Sequence, residues 1–254
     1  MTLIIVLLLA VLGASLGSFF NVLIHRLPQR KSIIKPASSC ASCGYKIPFY
    51  LNIPILSFII LKGKCKKCNA TFHWHHLAVE IITPALLIAL FFKYGLTDIL
   101  FYKYGLMTLI LIPIFFIDVF HHIIPHVLSI PLIPIGLLFS LGQKSDVGII
   151  NAAITAGVVF IFLYLLALSY MLIRKQEGLG GGDIWLLTGL ATFLGALNVP
   201  FVLLVAALLG IIWFVLFVRN MEMEFAFGNF IALAAIFWAL VGDLLMSKIW
   251  FGQW

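Results

Sequence analysis

Long apolar runs constrain this chain more than any other feature of its sequence. Most of them approach the roughly 20 residues that cross the hydrocarbon core of a bilayer. Hydrophobic residues make up 63% of the chain and charged residues only 10%, which excludes an ordinary soluble domain. The sequence therefore predicts an all-α polytopic membrane protein with about eight transmembrane helices. The runs cover residues 2–24, 77–92, 99–117, 127–142, 149–172, 184–197, 200–218 and 228–246.

The distribution of basic residues predicts the orientation of the chain. Residues 25–76 carry nine of the 16 Lys and Arg residues and no Asp or Glu. By the positive-inside rule this loop is cytoplasmic, and an even number of spans then leaves both termini outside. The basic residues are not interleaved with aromatic residues on a soluble module. We therefore expect contact with anionic lipid of the inner leaflet and no nucleic-acid partner.

Two Cys-x-x-Cys pairs account for every cysteine in the chain, and both lie in the basic loop. Cys40 and Cys43 form the first pair, and Cys65 and Cys68 form the second after a gap of 21 residues. The arrangement resembles a four-cysteine zinc site, although the gap slightly exceeds the usual range. Four thiolates would complete a tetrahedral shell, so such a site would be structural. Two disulfides or four free thiols are the alternatives, and a cytosolic location argues against disulfides.

These features predict three regions. Residues 1–24 form the first transmembrane helix, residues 25–76 form a small cytoplasmic zinc-binding loop domain, and residues 77–254 form a transmembrane bundle. Histidines follow the last cysteine and are alternative zinc ligands. Because the four cysteines already complete the ligand set, we interpret these histidines as polar residues at the membrane interface. These histidines are His73, His75 and His76.

Three carboxylates lie where burial in the membrane is costly, namely Glu80, Asp118 and Asp183. Asp118 ends one apolar run and Asp183 begins another, both at predicted cytoplasmic ends, so we expect the two to face each other in a hydrated cleft. Two adjacent carboxylates hold one proton between them. The ionised member can activate water and the protonated member can donate to a peptide carbonyl, as in aspartic proteases.

Three consecutive glycines, Gly180 to Gly182, precede Asp183. Glycine lets the backbone approach closely and adopt torsions that other residues avoid, so an extended peptide could lie against this strip. The alternative is that Asp183 is the N-cap of the next helix and that the glycines form a loop.

Six segments, in this order, resemble those of the bacterial type IV prepilin peptidases, which are GxGD aspartic proteases. The resemblance covers nearly the whole chain. The segments are "GSFFNVLIHRLP" (17–28), the two cysteine pairs with "LKGKC" before the second, "HHLAVEI" (75–81), "FIDVFHHIIPHVLSIP" (116–131), "GLGGGD" (178–183) and "FAFGNFIALA" (225–234).

The resemblance implies an enzyme of two activities in the bacterial cytoplasmic (inner) membrane, with its active site facing the cytoplasm. It implies cleavage of the leader peptide of type IV prepilins or pseudopilins, followed by N-methylation of the new N-terminus with S-adenosylmethionine. Asp118 and Asp183 would be the catalytic pair. Gly63 and Lys64 match positions implicated in methyl transfer, so the resemblance makes them candidates for binding S-adenosylmethionine. Glu80 matches an acidic position of open role.

Two positions depart from the family pattern. His126 stands where an aspartate is usual, and Trp185 stands where a lysine is usual. His126 could donate a hydrogen bond in the site or simply start a helix after Pro125. An adjacent cation favours the carboxylate form, so the loss of the lysine should alter the environment of Asp183.

Other functional classes remain open at this point. A catalytically altered relative could bind prepilins without cutting them. A membrane transporter could use the same carboxylates as a proton or metal path, although transporters usually contain internal repeats and we find none in the sequence.

Overall fold

The computed structural model describes residues 1–40, 42–142, 145–176, 179–217 and 226–251. Within these ranges the regular secondary structure is helical, with only two isolated β-bridges, so the prediction of an all-α fold is confirmed. A short 3₁₀ turn covers Phe49–Leu51. The α-helices of the described residues are α1 (Thr2–Arg26), α2 (Leu56–Ile60), α3 (Trp74–Tyr94), α4 (Ile99–His121), α5 (His126–Ser129), α6 (Leu132–Ser140), α7 (Ile149–Arg174), α8 (Gly181–Phe217) and α9 (Gly228–Phe251).

Five helices of the described part of the chain, α1, α3, α4, α7 and α8, are long and apolar enough to cross a membrane. Two shorter apolar helical stretches, His126–Ser140 and Gly228–Gly242, accompany them. Large apolar side chains point outward along these helices; Leu3 on α1 and Ile173 on α7 are 71% and 78% exposed. Such surfaces are stable only against lipid or another apolar partner, and the chain is a membrane protein.

Helix α8 is broken in its interior. Gly195 has φ 71° and ψ 174°, a conformation outside the helical region that favours glycine. The N–H of Ala196, directly after the break, donates to Asn151 Oδ1 at 3.2 Å. Pro200 lies in the first turn of the second half, where a missing N–H does little harm. The sequence predicts this division at residues 198–199, between the runs 184–197 and 200–218, and the break lies three residues earlier.

The chain forms two compact units, Met1–Phe92 and Lys93–Trp254. In the first unit, α1 packs closely on α3 through two glycines one turn apart. A Cβ on Gly13 would lie 2.5 Å from Pro84 Cα, and one on Gly17 would lie 2.9 Å from Glu80 Cα. Small residues at this spacing let two membrane helices approach closely. Asn21 Nδ2 also donates to the carbonyl of His76 at 3.0 Å.

In the second unit, the first half of α8 is the central element. Residues Leu186 to Gly195 are all buried. A Cβ on Gly189 would lie 2.6 Å from Leu132 Cβ, so α6 packs closely against this half. A helix that is apolar on every side is the type expected in the middle of a bundle. Its N-terminal end carries Asp183, which is therefore held by the most buried part of the unit.

A buried ion pair joins α4 to the segment before α7. Lys103 Nζ contacts Asp146 Oδ1, and the two side chains are 1% and 30% exposed. The hydroxyl of Tyr104 donates to the other oxygen of Asp146 at 2.6 Å. The lysine charge is thus neutralised inside the protein by a residue far along the chain.

Replacing Asp146 with Ala should lower the free energy of unfolding by about 3 kcal/mol, the lower end of the range for breaking a buried ion pair, because the Lys103 charge stays buried. Thermal unfolding of the detergent-solubilised protein, followed by tryptophan fluorescence, measures the effect. The double variant Lys103→Met/Asp146→Ala should recover part of the loss. A double variant less stable than Asp146→Ala would contradict this account.

Candidate active site

Asp118 lies in the last turn of α4 and is only 3% exposed. Its Oδ2 accepts a hydrogen bond of 2.6 Å from the backbone N–H of Asn229, in the first turn of α9. The helix ends three residues later at His121, because His122 takes the left-handed conformation and its N–H donates to the Asp118 carbonyl at 2.9 Å. Asp118 is therefore held between the end of one helix and the start of another.

Asp183 lies in the first turn of α8 and is half-buried. The helix begins two residues earlier at Gly181, so Asp183 is not its N-cap residue, and that alternative is wrong. Its N–H donates to the Gly180 carbonyl at 3.0 Å. Its Oδ1 is buried and has no hydrogen-bond partner among the described residues.

Ile124 is the residue around which these elements meet. A Cβ on Gly182 would lie 2.7 Å from Ile124 Cβ, and one on Gly228 would lie 2.4 Å from Ile124 Cδ1 and 3.1 Å from Asp118 Oδ2. Gly182 directly precedes Asp183, so the segments that carry the two carboxylates pack against the same isoleucine. The two carboxylates also interact electrostatically.

Gly228 and Asn229 were not among the site residues expected from the sequence. Their segment was noted only as part of a resemblance. Asn229 acts on Asp118 through its backbone N–H, which every residue except proline carries, so its side chain gave no signal. A glycine followed by a helix start was the one available hint.

The two departures from the family pattern lie at different places. His126 is exposed and begins α5 directly after Pro125. Trp185 lies two residues after Asp183 and packs its ring against Phe160 of α7, with ring centroids 5.1 Å apart. An aromatic contact between helices therefore occupies the position where a lysine was expected.

The four cysteines come together in the first unit. The Cys40 and Cys68 sulfurs are 3.8 Å apart, those of Cys43 and Cys65 are 3.9 Å apart, and all four lie within 4.8 Å of one another. A tetrahedron of roughly 2.3 Å metal–sulfur bonds has edges of roughly 3.8 Å. The four thiols are not joined as disulfides. The donor set and its spacing fit one tetrahedral metal ion.

Two turns of the same design present these cysteines. In the first, the Cys40 carbonyl accepts from the Gly44 N–H at 2.9 Å; in the second, the Cys65 carbonyl accepts from the Asn69 N–H at 3.0 Å. Gly44 and Asn69 both have positive φ, 68° and 56°. Backbone hydrogen bonds from Cys43 and Ser42 lower the pKa of the Cys40 thiol to about 6, whereas, despite a backbone hydrogen bond from Ala70, burial and the other three thiols raise the pKa of Cys68 to about 11. Cys40 is therefore more readily ionised than Cys68 to the thiolate, the form that binds metals.

Gly63 and Lys64 connect α2 to the second of these turns. Gly63 has φ 66°, and its N–H donates to the Phe58 carbonyl at 2.8 Å, which ends α2. Lys64 pairs with Thr71 across the base of the turn. Both residues help to position Cys65.

Glu80 lies on α3, and its Oε2 accepts the N–H of Ile55 at 2.7 Å. Ile55 has φ 64°, which is rare for a β-branched residue. The carboxylate thus holds a strained connection that leads into α2.

Comparison with known proteins gives two adjacent family matches. Residues 11–94 match the family described as "Bacterial Peptidase A24 N-terminal domain", and residues 105–215 match the "Type IV leader peptidase family". The chain is 31% identical to the prepilin leader peptidase/N-methyltransferase of Dichelobacter nodosus over 90% of each chain. It is 30% identical to the protein of that name from Neisseria gonorrhoeae, over 87% of this chain and 85% of the relative. The Legionella pneumophila protein of that name is 27% identical over 98% and 95% of the two chains. No solved structure matches the chain.

Gly181 and Gly182, the two glycines directly before Asp183, provide a matched test of the packing around Ile124. Gly182→Ala should destabilise the protein by about 1–3 kcal/mol, because its Cβ overlaps Ile124. A Cβ on Gly181 meets nothing within 4 Å, so Gly181→Ala should be neutral or stabilising by up to about 1 kcal/mol through helix propensity. Thermal unfolding of the two variants side by side gives the comparison. Equal unfolding temperatures would show that the packing around Ile124 is not as described.

Proposed function

The chain belongs to the type IV leader peptidase family, and from this premise we propose that it removes the leader peptide of type IV prepilins or pseudopilins and then methylates the new N-terminus. The observation that carries the proposal is the packing of Gly182, directly before Asp183, and of Gly228, beside Asp118, against the same residue, Ile124. Both carboxylates lie within the residues that match the peptidase family. Two carboxylates sharing one proton are sufficient for water-mediated cleavage of a peptide bond.

The two aspartates have different surroundings, and we assign them different roles. Asp118 accepts a hydrogen bond of 2.6 Å from the Asn229 N–H, and a hydrogen bond to a carboxylate favours its ionised form. Asp118 is therefore the ionised member, and it activates the attacking water. Asp183 has a buried oxygen without a partner, and a lone buried charge is costly. Asp183 therefore holds the shared proton and donates it to the carbonyl of the scissile bond.

The glycines before Asp183 leave room for the substrate. Gly181 is exposed, and no atom lies within 4 Å of the position of its missing Cβ. Gly181 lies in the first turn of α8, whose N–H groups have no partner inside the helix and can donate to the carbonyl groups of an extended leader peptide with small side chains near the cut. Gly180 and Gly182 flank this position, and Gly180 lies directly beside Asp183 Oδ2. His126 is exposed at the start of α5, and we give it a role in the approach of the leader rather than in the chemistry.

For the arrangement in the membrane, we propose eight crossings. The break at Gly195 divides α8 into two spans, and His126–Ser140 and Gly228–Gly242 supply two more beside α1, α3, α4 and α7. The basic residues of the loop 25–76 place it in the cytoplasm, with both termini outside and the aspartates at the cytoplasmic face of the inner membrane. The functional regions are then 1–24, 25–76 and 77–254.

The cytoplasmic loop has the second activity. We propose that its four cysteines hold one structural zinc ion, which completes the fold of the loop and leaves no coordination position for water. S-adenosylmethionine supplies, when bound, a methyl group on a positively charged sulfur. Gly63 and Lys64 support this activity by placing the second cysteine turn.

Cleavage of a prepilin in membranes tests the peptidase. Asp118→Asn and Asp183→Asn should each lower the rate by about 10³-fold or more, and the double variant should be no worse, because the pair acts as a unit. Asp98→Asn is the control: Asp98 is the N-cap of α4, and asparagine caps equally well, so cleavage should continue. If Asp183→Asn cleaved normally, a protein that only binds prepilins would fit better.

Metal analysis of the purified protein tests the zinc site. We expect one zinc per chain, lost in Cys65→Ser, with a lower unfolding temperature because the metal stabilises the fold that forms its site. His73→Ala should retain the metal, since its ring stacks on His75 and the cysteine set is complete without it. Retention of zinc in Cys65→Ser together with its loss in His73→Ala would contradict the four-cysteine assignment.

A further inference from the structure

A cavity of about 330 Å³ lies in the first compact unit, between α1 and the loop that follows it. The helix contributes Ser15, Ser18 and Phe19, and the loop contributes Ser38, Asn52 and Pro54. The volume falls at the lower end of the roughly 300–1,000 Å³ typical of small-molecule sites. Neither Gly63 nor Lys64 belongs to its lining.

The lining combines hydroxyl and amide groups with one flat aromatic face. Ser15 and Ser18 lie on α1 among mainly apolar residues, and the Ser15 hydroxyl donates to the Val11 carbonyl at 2.8 Å, which leaves its oxygen free to accept a hydrogen bond. Phe19 is 44% exposed, and Asn52 is exposed. The cavity can therefore accept a planar ring and several hydrogen-bonding groups at once.

Glu80 lies beside residues that line this cavity. Its Oε2 accepts the N–H of Ile55, the residue after Pro54, at 2.7 Å, and its Cα lies against Gly17, the residue before Ser18. Glu80 is the only Asp or Glu among residues 1–92, a stretch rich in lysine and arginine. The φ of 64° at Ile55 is strained for a β-branched residue, and strain of this kind persists where the surrounding structure enforces it, often at binding sites.

We propose that this cavity binds the methyl donor S-adenosylmethionine, with Glu80 recognising the positive sulfur. The proposal rests on the proposed methyltransferase activity and adds a binding site to it. The planar base of the ligand would stack on Phe19. Its hydroxyl and amino groups would bond to the serines and Asn52, and its cationic centre would face Glu80. The cavity lies against the second half of α1, which ends at Arg26. The basic loop that follows places this end of the helix at the cytoplasm, where the donor is available.

The cysteine site supports one wall of the cavity. The carbonyl of Ser38 accepts the N–H of Ile47 at 2.9 Å, and Ser39 pairs with Lys46, so both flank the turn that carries Cys40. Arg26 ties the preceding part of the loop to α1, because its guanidinium donates to the carbonyls of Ser32 and Pro36 at 3.0 and 2.7 Å. Loss of the metal should therefore weaken binding in the cavity.

The test compares two ligands that differ in charge at sulfur. Binding of S-adenosylmethionine and of S-adenosylhomocysteine, its neutral thioether, is measured by calorimetry on the full-length protein in nanodiscs. Glu80→Gln keeps an acceptor for the Ile55 N–H but removes the charge. It should weaken S-adenosylmethionine about tenfold and S-adenosylhomocysteine less than about twofold. A purely structural role for Glu80 would weaken both ligands equally, and that result would overturn the charge recognition.

A second variant addresses the cavity without touching Glu80. Asn52→Leu, at an exposed position, should weaken both ligands, whereas the matched control Ile53→Leu, outside the lining, should change neither. Unchanged affinities in both Asn52→Leu and Glu80→Gln would overturn the site while leaving the methyltransferase intact elsewhere. Absence of binding to the wild-type protein would also overturn it. Mass spectrometry of the cleaved pilin would then distinguish the causes, because an unmethylated N-terminus would remove the proposed second activity itself.

Discussion

The hydrogen bond from the Asn229 N–H to Asp118 is the interaction on which the arrangement of the second unit depends. A carboxylate at this depth in a membrane bundle needs a donor, and α4 itself cannot supply one because its own N–H groups are used within the helix. The donor comes from the first turn of α9, whose N–H groups have no partner inside that helix. The approach is possible only because Gly228 has no side chain, since a Cβ there would meet both Ile124 and Asp118. One hydrogen bond thus provides a partner for both the Asp118 carboxylate and the Asn229 N–H. It also holds together the end of α4, the segment that carries Ile124 and the start of α9.

Glycine has a corresponding role in the first unit, where Gly13 and Gly17 bring α1 against α3 and place Ser18 beside Glu80. Each unit therefore sets a buried carboxylate against a close backbone contact. In lipid the hydrophobic effect does not drive helices together, so close packing and hydrogen bonds must do so. The glycines that permit this packing are also the residues that bring polar groups within reach of the carboxylates.

The sequence predicted the local features well and the long-range contacts poorly. Apolar runs predicted the helices, because lipid imposes a length and a composition that every span must meet. The cysteine pairs indicated a metal site, because ligand spacing is a local property of the chain. The break of α8 was predicted at residues 198–199 and lies at Gly195, because the sequence does not reveal which glycine has a positive φ. Three contacts could not be predicted because each joins residues far apart in sequence: Asn229 with Asp118, Ile55 with Glu80, and Lys103 with Asp146. The first two also use a backbone N–H, which almost every residue carries.

The two activities of the family have an order that chemistry imposes. The amine that accepts a methyl group does not exist until the peptide bond before it is cut, so the methyltransferase acts only on the product of the peptidase. Because both activities belong to one chain, the product forms close to the second activity, and its effective concentration there is raised. On the proposed assignments, the two sites need opposite electrostatics: the peptidase uses a pair of carboxylates of which one stays protonated, whereas the cationic methyl donor is held by a charged carboxylate. Asp118 and Asp183 in the second unit, and Glu80 as the only Asp or Glu of residues 1–92, would then provide these two environments in one chain.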